Sequence, residues 1–278
     1  MHSKASQDGC PTWIDAAGRL HSPAGADARI VSLVPSLTEL VFDLGLGERL
    51  VGRTGFCVHP REALRAVPKV GGTKDVNLAR IRELAPTHVL VNMDENRRET
   101  VDALAAFVPH IVVTHPNTPQ DNLVLFALLG GVFGAEGAAA RLAHELRAVL
   151  DEAAALRAAL ADERVLYLIW REPWMTVARD TYISRMLARI GWLTEPAAEG
   201  GASGAARYPA VRGDEAWLAG TGRVLLSSEP FAFDAGHAAA AQALCPQARV
   251  QRVDGELLSW YGVRALAGLR YLGELARS

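Results

Sequence analysis

Catalytic signatures are what this sequence lacks first. It has no phosphate-binding G-x-x-x-x-G-K-[ST] loop, no G-x-S-x-G elbow, no H-E-x-x-H pair and no G-x-G-x-x-G opening a helix. Single Ser, His and Asp residues are present without the spacing of a triad, so no enzymatic activity is expected. Cysteine is equally sparse. Cys10, Cys57 and Cys245 are widely scattered, with no C-x-x-C, which argues against a zinc knuckle or a disulfide framework and suits a reducing compartment. No apolar run approaches the roughly 18–20 residues of a transmembrane helix. A formal charge of −2 gives no electrostatic case for nucleic acid or an anionic membrane. Residues 1–28 carry no apolar core and do not read as a signal peptide. The chain as it stands is therefore expected in the cytoplasm, or in the periplasm if a native leader has been removed.

What is present is an alternating α/β pattern. A chain of 278 residues, half of them hydrophobic and 22% charged, is long enough for two modest soluble α/β lobes. The segment 28–52 is the most informative. Ile30 to Val34 is too short for a helix and rich in β-branched residues, so it reads as a buried strand. Pro35 stops it, and Ser36 with Glu39 forms an S-x-x-E capping box opening a helix whose apolar face is Leu37, Leu40, Val41 and Leu44. Gly45 or Gly47 ends that helix, and a short strand follows near 50–52. A strand turning into a helix frees backbone N–H groups at its carboxyl end, where open α/β sheets bind ligands.

The alternation continues. Asn77 caps a helix over 78–84 that Pro86 closes, 88–91 is a strand, 97–107 a helix, 111–114 a strand and 120–133 an apolar helix. Residues 135–160 form a proline-free, Ala-rich helical stripe about 39 Å long. In the second half, strands are expected at 165–169, 224–227 and 250–253. Asp180 or Thr181 caps a helix there, 199–206 is a loop, and 263–275 is the closing helix.

The residues IVSLVPSLTELVFDLGLGERLVG, VPKVGGTKDVNLARIRELAPTHVLV and YLIWREPWMTVARDTYISRML occur in an order that resembles the helical-backbone substrate-binding proteins of ABC transporters, and most nearly their cobalamin-binding branch. The resemblance runs from about residue 29 to the C-terminus. It implies two Rossmann-like lobes joined by a long backbone helix: an extension (1–28), an N-terminal lobe (29–134), the linking helix (135–161) and a C-terminal lobe (162–278). It also implies non-catalytic binding of a metal chelate, foremost a corrinoid, in a cleft between lobes, with no cofactor of the protein's own. Haem, a ferric siderophore, a bare metal ion or a chelatase-like activity stand as alternatives.

Candidate ligand residues follow from position and type. Phe56, Trp174, Tyr208, Trp260 and Tyr261 fall on connections expected to face the ligand, and aromatic faces hold a flat, partly apolar ring well. By resemblance Trp174 and Tyr208 match aromatics of the second lobe. Each could equally be core or surface filler. Cys57 and His59, at i and i+2, are either transition-metal ligands or structural residues. Lys74 in Gly-Gly-Thr-Lys-Asp meets an anionic group or is simply solvated, and Arg264 binds an anionic ligand edge or pairs with a carboxylate. Asn92 and Thr73 stand where the cobalamin branch carries aromatics. Transport relatives dock on a permease through a glutamate on each lobe. Here Ala79 occupies the first position in Asn77-Leu78-Ala79-Arg80-Ile81, while Glu215 matches the second, so an ABC permease partner loses one of its two anchors.

Overall fold

The structure is a computed structural model that describes residues 4–5, 11–202 and 204–277. Cys10 lies outside the described residues. The chain divides into two compact units. One takes Met1–Pro116, Gln120–Leu146 and Tyr261–Val263, and the other takes Asn117–Pro119, Arg147–Trp260 and Arg264–Ser278.

The first unit opens with short antiparallel strands β1 (Lys4–Ala5), β2 (Pro11–Ile14) and β3 (Leu20–His21). Its main sheet follows: β4 (Ile30–Ser32), α1 (Pro35–Asp43), β5 (Leu50–Arg53), α2 (Leu78–Leu84), β6 (His88–Asn92), α3 (Arg98–Ala105) and β7 (His110–Thr114). The four strands are parallel in the order β5-β4-β6-β7. Every residue of β6 is buried, which explains why that stretch reads as a continuous apolar run rather than an alternating one. Val31, Val89, Val91, Leu104, Ile111 and Val113 share one core with Ile81 of α2. Asn77 caps α2 as expected, its side chain accepting the Arg80 N–H.

The capping box at Ser36 and Glu39 is not formed. The N-cap of α1 is Val34, without any side-chain cap, and Pro35 occupies the first turn. Proline brings no N–H to satisfy and a backbone angle already helical, so the helix starts one residue before the serine. Ser36 is buried instead, and the Thr38 hydroxyl donates back to the Val34 carbonyl.

Helices α4 (Asp121–Phe133) and α5 (Glu136–Arg157) follow, close to the expected 120–133 and 135–160. The second unit then runs β8 (Glu163–Leu168), β9 (Trp174–Met175), α6 (Tyr182–Leu187), β10 (Trp192–Thr194), β11 (Ala210–Val211), β12 (Arg223–Ser227), α7 (Ala238–Leu244), β13 (Arg249–Val253), α8 (Gly255–Ser259) and α9 (Arg264–Leu275). Its parallel sheet has the order β10-β8-β12-β13. By chain order within each unit, both sheets read second-first-third-fourth, so one plan is used twice without any repeat in sequence. Of the two proposed caps for α6, Thr181 makes the bond, accepting from the Ser184 N–H. Asp180 is spent elsewhere: its carboxylate accepts the N–H groups of Gly200 and Gly201 and faces the buried Arg207, which pins the glycine-rich loop. Among the described residues no helix is long and apolar enough to cross a membrane.

Candidate functional site

In a sheet of this order the connections leave in opposite directions after the first and third strands, and the groove at their carboxyl ends is where ligands bind. In the first unit that position lies between β4 and β6. The Leu33 N–H donates to the Leu90 carbonyl, and the Asn96 amide donates to the carbonyls of Leu33 and Thr73. Asn92 is the last residue of β6, and its buried side-chain oxygen accepts the N–H groups of Asp94 and Glu95. Lys74 Nζ donates to the Asp94 carbonyl at 2.7 Å. Burial lowers the Lys74 pKa, while Glu95 and Asp94 work against that shift. His115 Nε2 stands 3.5 Å from Asp94 Oδ2. The Phe56 ring, 63% exposed, lies over the same loop, since a Cβ on Gly72 would come within 3.2 Å of it. The fold therefore gathers Phe56, Lys74 and Asn92 at one end of one sheet, in a polar setting.

Cys57, next to Phe56, does not share that exposure. It is fully buried, with the hydroxyls of Thr38 and Thr54 on its sulfur at 3.0 and 3.1 Å. Burial raises the thiol pKa, which disfavours the thiolate that binds metals. His59 is half-buried. Among the described residues no group of three or more His, Cys, Asp or Glu side chains is placed to hold a metal ion.

The corresponding position in the second unit lies between β8 and β12, and it is aromatic. The Phe231 N–H donates to the Ile169 carbonyl. Trp170, two residues past the end of β8, meets Phe231 edge to face at 5.6 Å. Phe231 and Phe233 lie 4.7 Å apart, Phe233 stacks on Trp174 at 5.9 Å, and the His237 ring stands edge-on to both phenylalanines. Trp170 remains 42% exposed, which is unusual for a tryptophan inside an aromatic group. Arg171 sits over the Trp174 ring at 5.4 Å. The β9–β11 ribbon pairs Val211 with Trp174 and brings half-buried Tyr208 to the start of β11. Glu172, between Trp170 and Trp174, has φ 66°, a conformation costly for a residue with a side chain.

Of the remaining expected residues, Trp260 and Tyr261 are buried and Arg264 and Glu215 half-buried. Trp260 is 8% exposed, and its indole N–H donates to Glu229 Oε1 at 2.6 Å beside the Ser259 hydroxyl. Burial raises the Glu229 pKa despite these two donors. Arg264 pairs with Glu256 at 3.0 Å and lies over the Trp260 ring, the second of the two roles considered for it. Tyr261 is buried in the first unit near Glu95 and Thr114, and desolvation drives its pKa well up. Glu215 turns its carboxylate onto the N–H groups of Arg212 and Gly213, which lowers its pKa against a desolvation penalty. Ala79 is exposed on α2.

Sequence reasoning passed over Trp170, Phe231, Phe233 and His237. A usable signal was there: Trp170 lies two residues past β8, and the two phenylalanines alternate in the loop after β12, where a parallel sheet presents residues to a ligand.

Known proteins share this architecture and part of this sequence. A Photorhabdus laumondii vitamin B12-binding protein is 34% identical over 100 residues, 36% of this chain and 36% of its own length. A Yersinia pestis vitamin B12-binding protein is 34% identical over 94 residues. The match thus spans about a third of the length of these curated relatives. Among solved structures, the periplasmic vitamin B12 binding protein BtuF of Vibrio cholerae superposes with a TM-score of 0.75 at 19% identity, covering 90% of this chain and 96% of that one. A periplasmic heme-binding protein of Pseudomonas aeruginosa superposes with a TM-score of 0.75 at 24% identity, covering 89% and 91%. At such identities the likeness is one of fold. The model of the periplasmic binding protein family matches residues 30–209, and on that match, together with a sheet plan used twice, the chain belongs to the periplasmic binding protein family.

Proposed function

We propose that this chain captures a flat metal chelate, foremost a corrinoid such as cobalamin or cobinamide, and holds it without catalysing a reaction. The observation that carries this reading is the aromatic group at the carboxyl ends of β8 and β12, with Trp170 exposed and Phe231, Phe233 and Trp174 behind it. A corrin ring offers a broad, partly apolar face, against which aromatic side chains bury a large area. The sequence match to vitamin B12-binding proteins supports the corrinoid over other chelates. The polar ends of β6 and β7, with Lys74, Asn92 and Asp94, supply hydrogen-bonding groups of the kind a carboxamide-bearing ligand needs. Phe56, Trp174 and Tyr208 belong to the proposed contact set. Cys57, His59, Trp260, Tyr261 and Arg264 enter it only as residues to be tested.

Delivery to an ABC permease is part of the same proposal, with Glu215 as its docking carboxylate and no partner charge at Ala79. Fractionation of cells producing the full gene product assigns the compartment, periplasmic for a transport role and cytoplasmic for an intracellular relative of it.

The test is titration of purified protein with cobinamide, cobalamin, haemin and a ferric siderophore, followed by visible absorbance and calorimetry. A shifted corrinoid spectrum with micromolar or tighter affinity, weakened by Trp170→Ala, supports the proposal. Binding of haemin alone moves the assignment to haem, and no response to any of the four overturns it.

A further inference from the structure

The glycine-rich segment of the second unit has little of its own to hold it in place. Between residues 200 and 206 no side chain is larger than that of serine. Glycine gives up more conformational freedom on ordering than any other residue, and a methyl group buries little apolar area to offset that loss. Gly201 and Gly204 stand at φ 82° and 100°, which residues with a side chain rarely adopt. Yet this segment leads straight into Tyr208 and β11, whose partner strand carries Trp174.

The group that holds it is Arg207, whose side chain is only 2% exposed. One end of the guanidinium donates to the Gly201 carbonyl at 2.7 Å, inside the segment. The other end donates to Asn117 Oδ1 at 2.8 Å, 90 positions earlier in the chain. Asp180 completes the arrangement. Its carboxylate lies 3.7 Å from the guanidinium and accepts the Gly200 and Gly201 N–H groups, each at 2.8 Å. Desolvation works to raise the Asp180 pKa, but those N–H groups and the Arg207 charge hold it below the ordinary value. Main-chain bonds close the frame on either side of Tyr208: the Ala178 N–H donates to the Arg207 carbonyl, and the Thr176 N–H to the Pro209 carbonyl. There is no slack on the inner side, since a Cβ on Gly200 would fall 2.4 Å from the Arg207 Cα. Asn117, Asp180 and Arg207 all belong to the second unit.

A buried ion pair adds little net stability, because both charges lose water. What its directed bonds fix is a single geometry. A planar guanidinium suits that task, with donors at both ends of a rigid fork. The point charge of a lysine does not span the Gly201 carbonyl and Asn117 together.

We propose that Arg207 is a positioning residue of the ligand site: its buried guanidinium, anchored on Asn117 and Asp180, sets the Tyr208 loop in place before any ligand arrives. Tyr208 then adds to affinity without the cost of ordering its loop on binding. The inference rests on the reading of Tyr208 as a ligand contact, and extends it to a side chain with almost no surface of its own to offer.

Hydrogen exchange followed by mass spectrometry, on the full chain without ligand, tests the loop by itself. Arg207→Lys keeps the charge and loses the fork. The amides of residues 199–208 are expected to exchange at least about tenfold faster in it, while unchanged amides of β8 and β12 show that the unit stays folded. Asn117→Ala removes the far anchor alone and should act the same way by less, whereas Asn117→Asp keeps an acceptor for Arg207 and should leave protection as in the unaltered chain. Titration with cobinamide, followed by visible absorbance, then reads the site. Tyr208→Ala is expected to weaken binding about tenfold and Arg207→Lys about fivefold, and the double variant should bind no more weakly than Tyr208→Ala alone. A purely structural role for Arg207 would add its loss to that of Tyr208→Ala. Unchanged exchange over residues 199–208 in both Arg207→Lys and Asn117→Ala, or losses that multiply in the double variant, overturns the proposal. If the unaltered protein binds no cobinamide, the ligand reading falls, and the exchange result alone decides whether Arg207 sets the loop.

Discussion

In the first unit, the strands beside the β4–β6 junction end in Asn92, Asp94, Asn96, Thr114 and His115, a set of hydrogen-bonding groups already engaged with one another and with backbone. In the second, the strands beside the β8–β12 junction end in Trp170, Phe231 and Phe233, held by ring contacts. The sheet order is the same in both. The scaffold therefore does not choose the chemistry at its strand ends. A few residues past each strand do, and they make one unit a polar surface and the other an aromatic one.

The largest expected effect probes structure rather than ligand. Gly131→Val drives a side chain into Trp13 and should cost the first unit about 2–3 kcal/mol, lowering its melting transition in calorimetry. An unchanged transition would mean that the β2–β3 pair adds nothing to that unit. Next in size, Phe231→Ala should weaken corrinoid binding by roughly 30-fold or more through loss of ring area and of support for Trp170. Equal losses from Asn92→Ala would remove the contrast between the units.

Two buried titratable groups sharpen the comparison through pH. Glu229 in the second unit has a raised pKa, so its folded form prefers the neutral acid and stability falls as pH rises through that value. Glu229→Gln keeps an acceptor for Ser259 and Trp260 and should raise stability at neutral pH by about 1 kcal/mol, measured by urea unfolding. His88 in the first unit has the opposite sign. Its lowered pKa means that stability is full above about pH 6.5 and is lost as pH falls toward about 4, so His88→Phe should flatten the acid limb. The smallest effect is expected for Lys74→Ala, about threefold in ligand affinity, because the side chain is exposed and donates to a backbone carbonyl.

The regular elements were legible in the chain itself. Continuous apolar runs at β4, β6, β7 and β12, the Asn77 cap and the proline-free stretch that became α5 are local patterns, and local patterns follow from side-chain periodicity and backbone chemistry. The S-x-x-E motif misled because Pro35 competes for the same helix start and wins by its fixed backbone angle. Short elements such as β2, β3, β9 and α8 were passed over, since two to five residues carry too little periodicity to stand out.

The candidate site was legible in part. Asn92 ends a recognisable strand, Lys74 lies in the glycine loop before α2, and Trp174 follows the apolar run of β8 and stacks on Phe233. That Cys57 would be wrapped by two threonine hydroxyls, Trp260 held by Glu229 and Arg264 by Glu256 depends on residues 3 to 31 positions away, which no local pattern relates. The sequence by itself thus determined which segments are strands and helices, and, through its match to known relatives, the family. Only the tertiary structure decided which aromatic rings face water and which fill the interior. Exposure belongs to the packed neighbours of a side chain, and those neighbours come from distant parts of the chain.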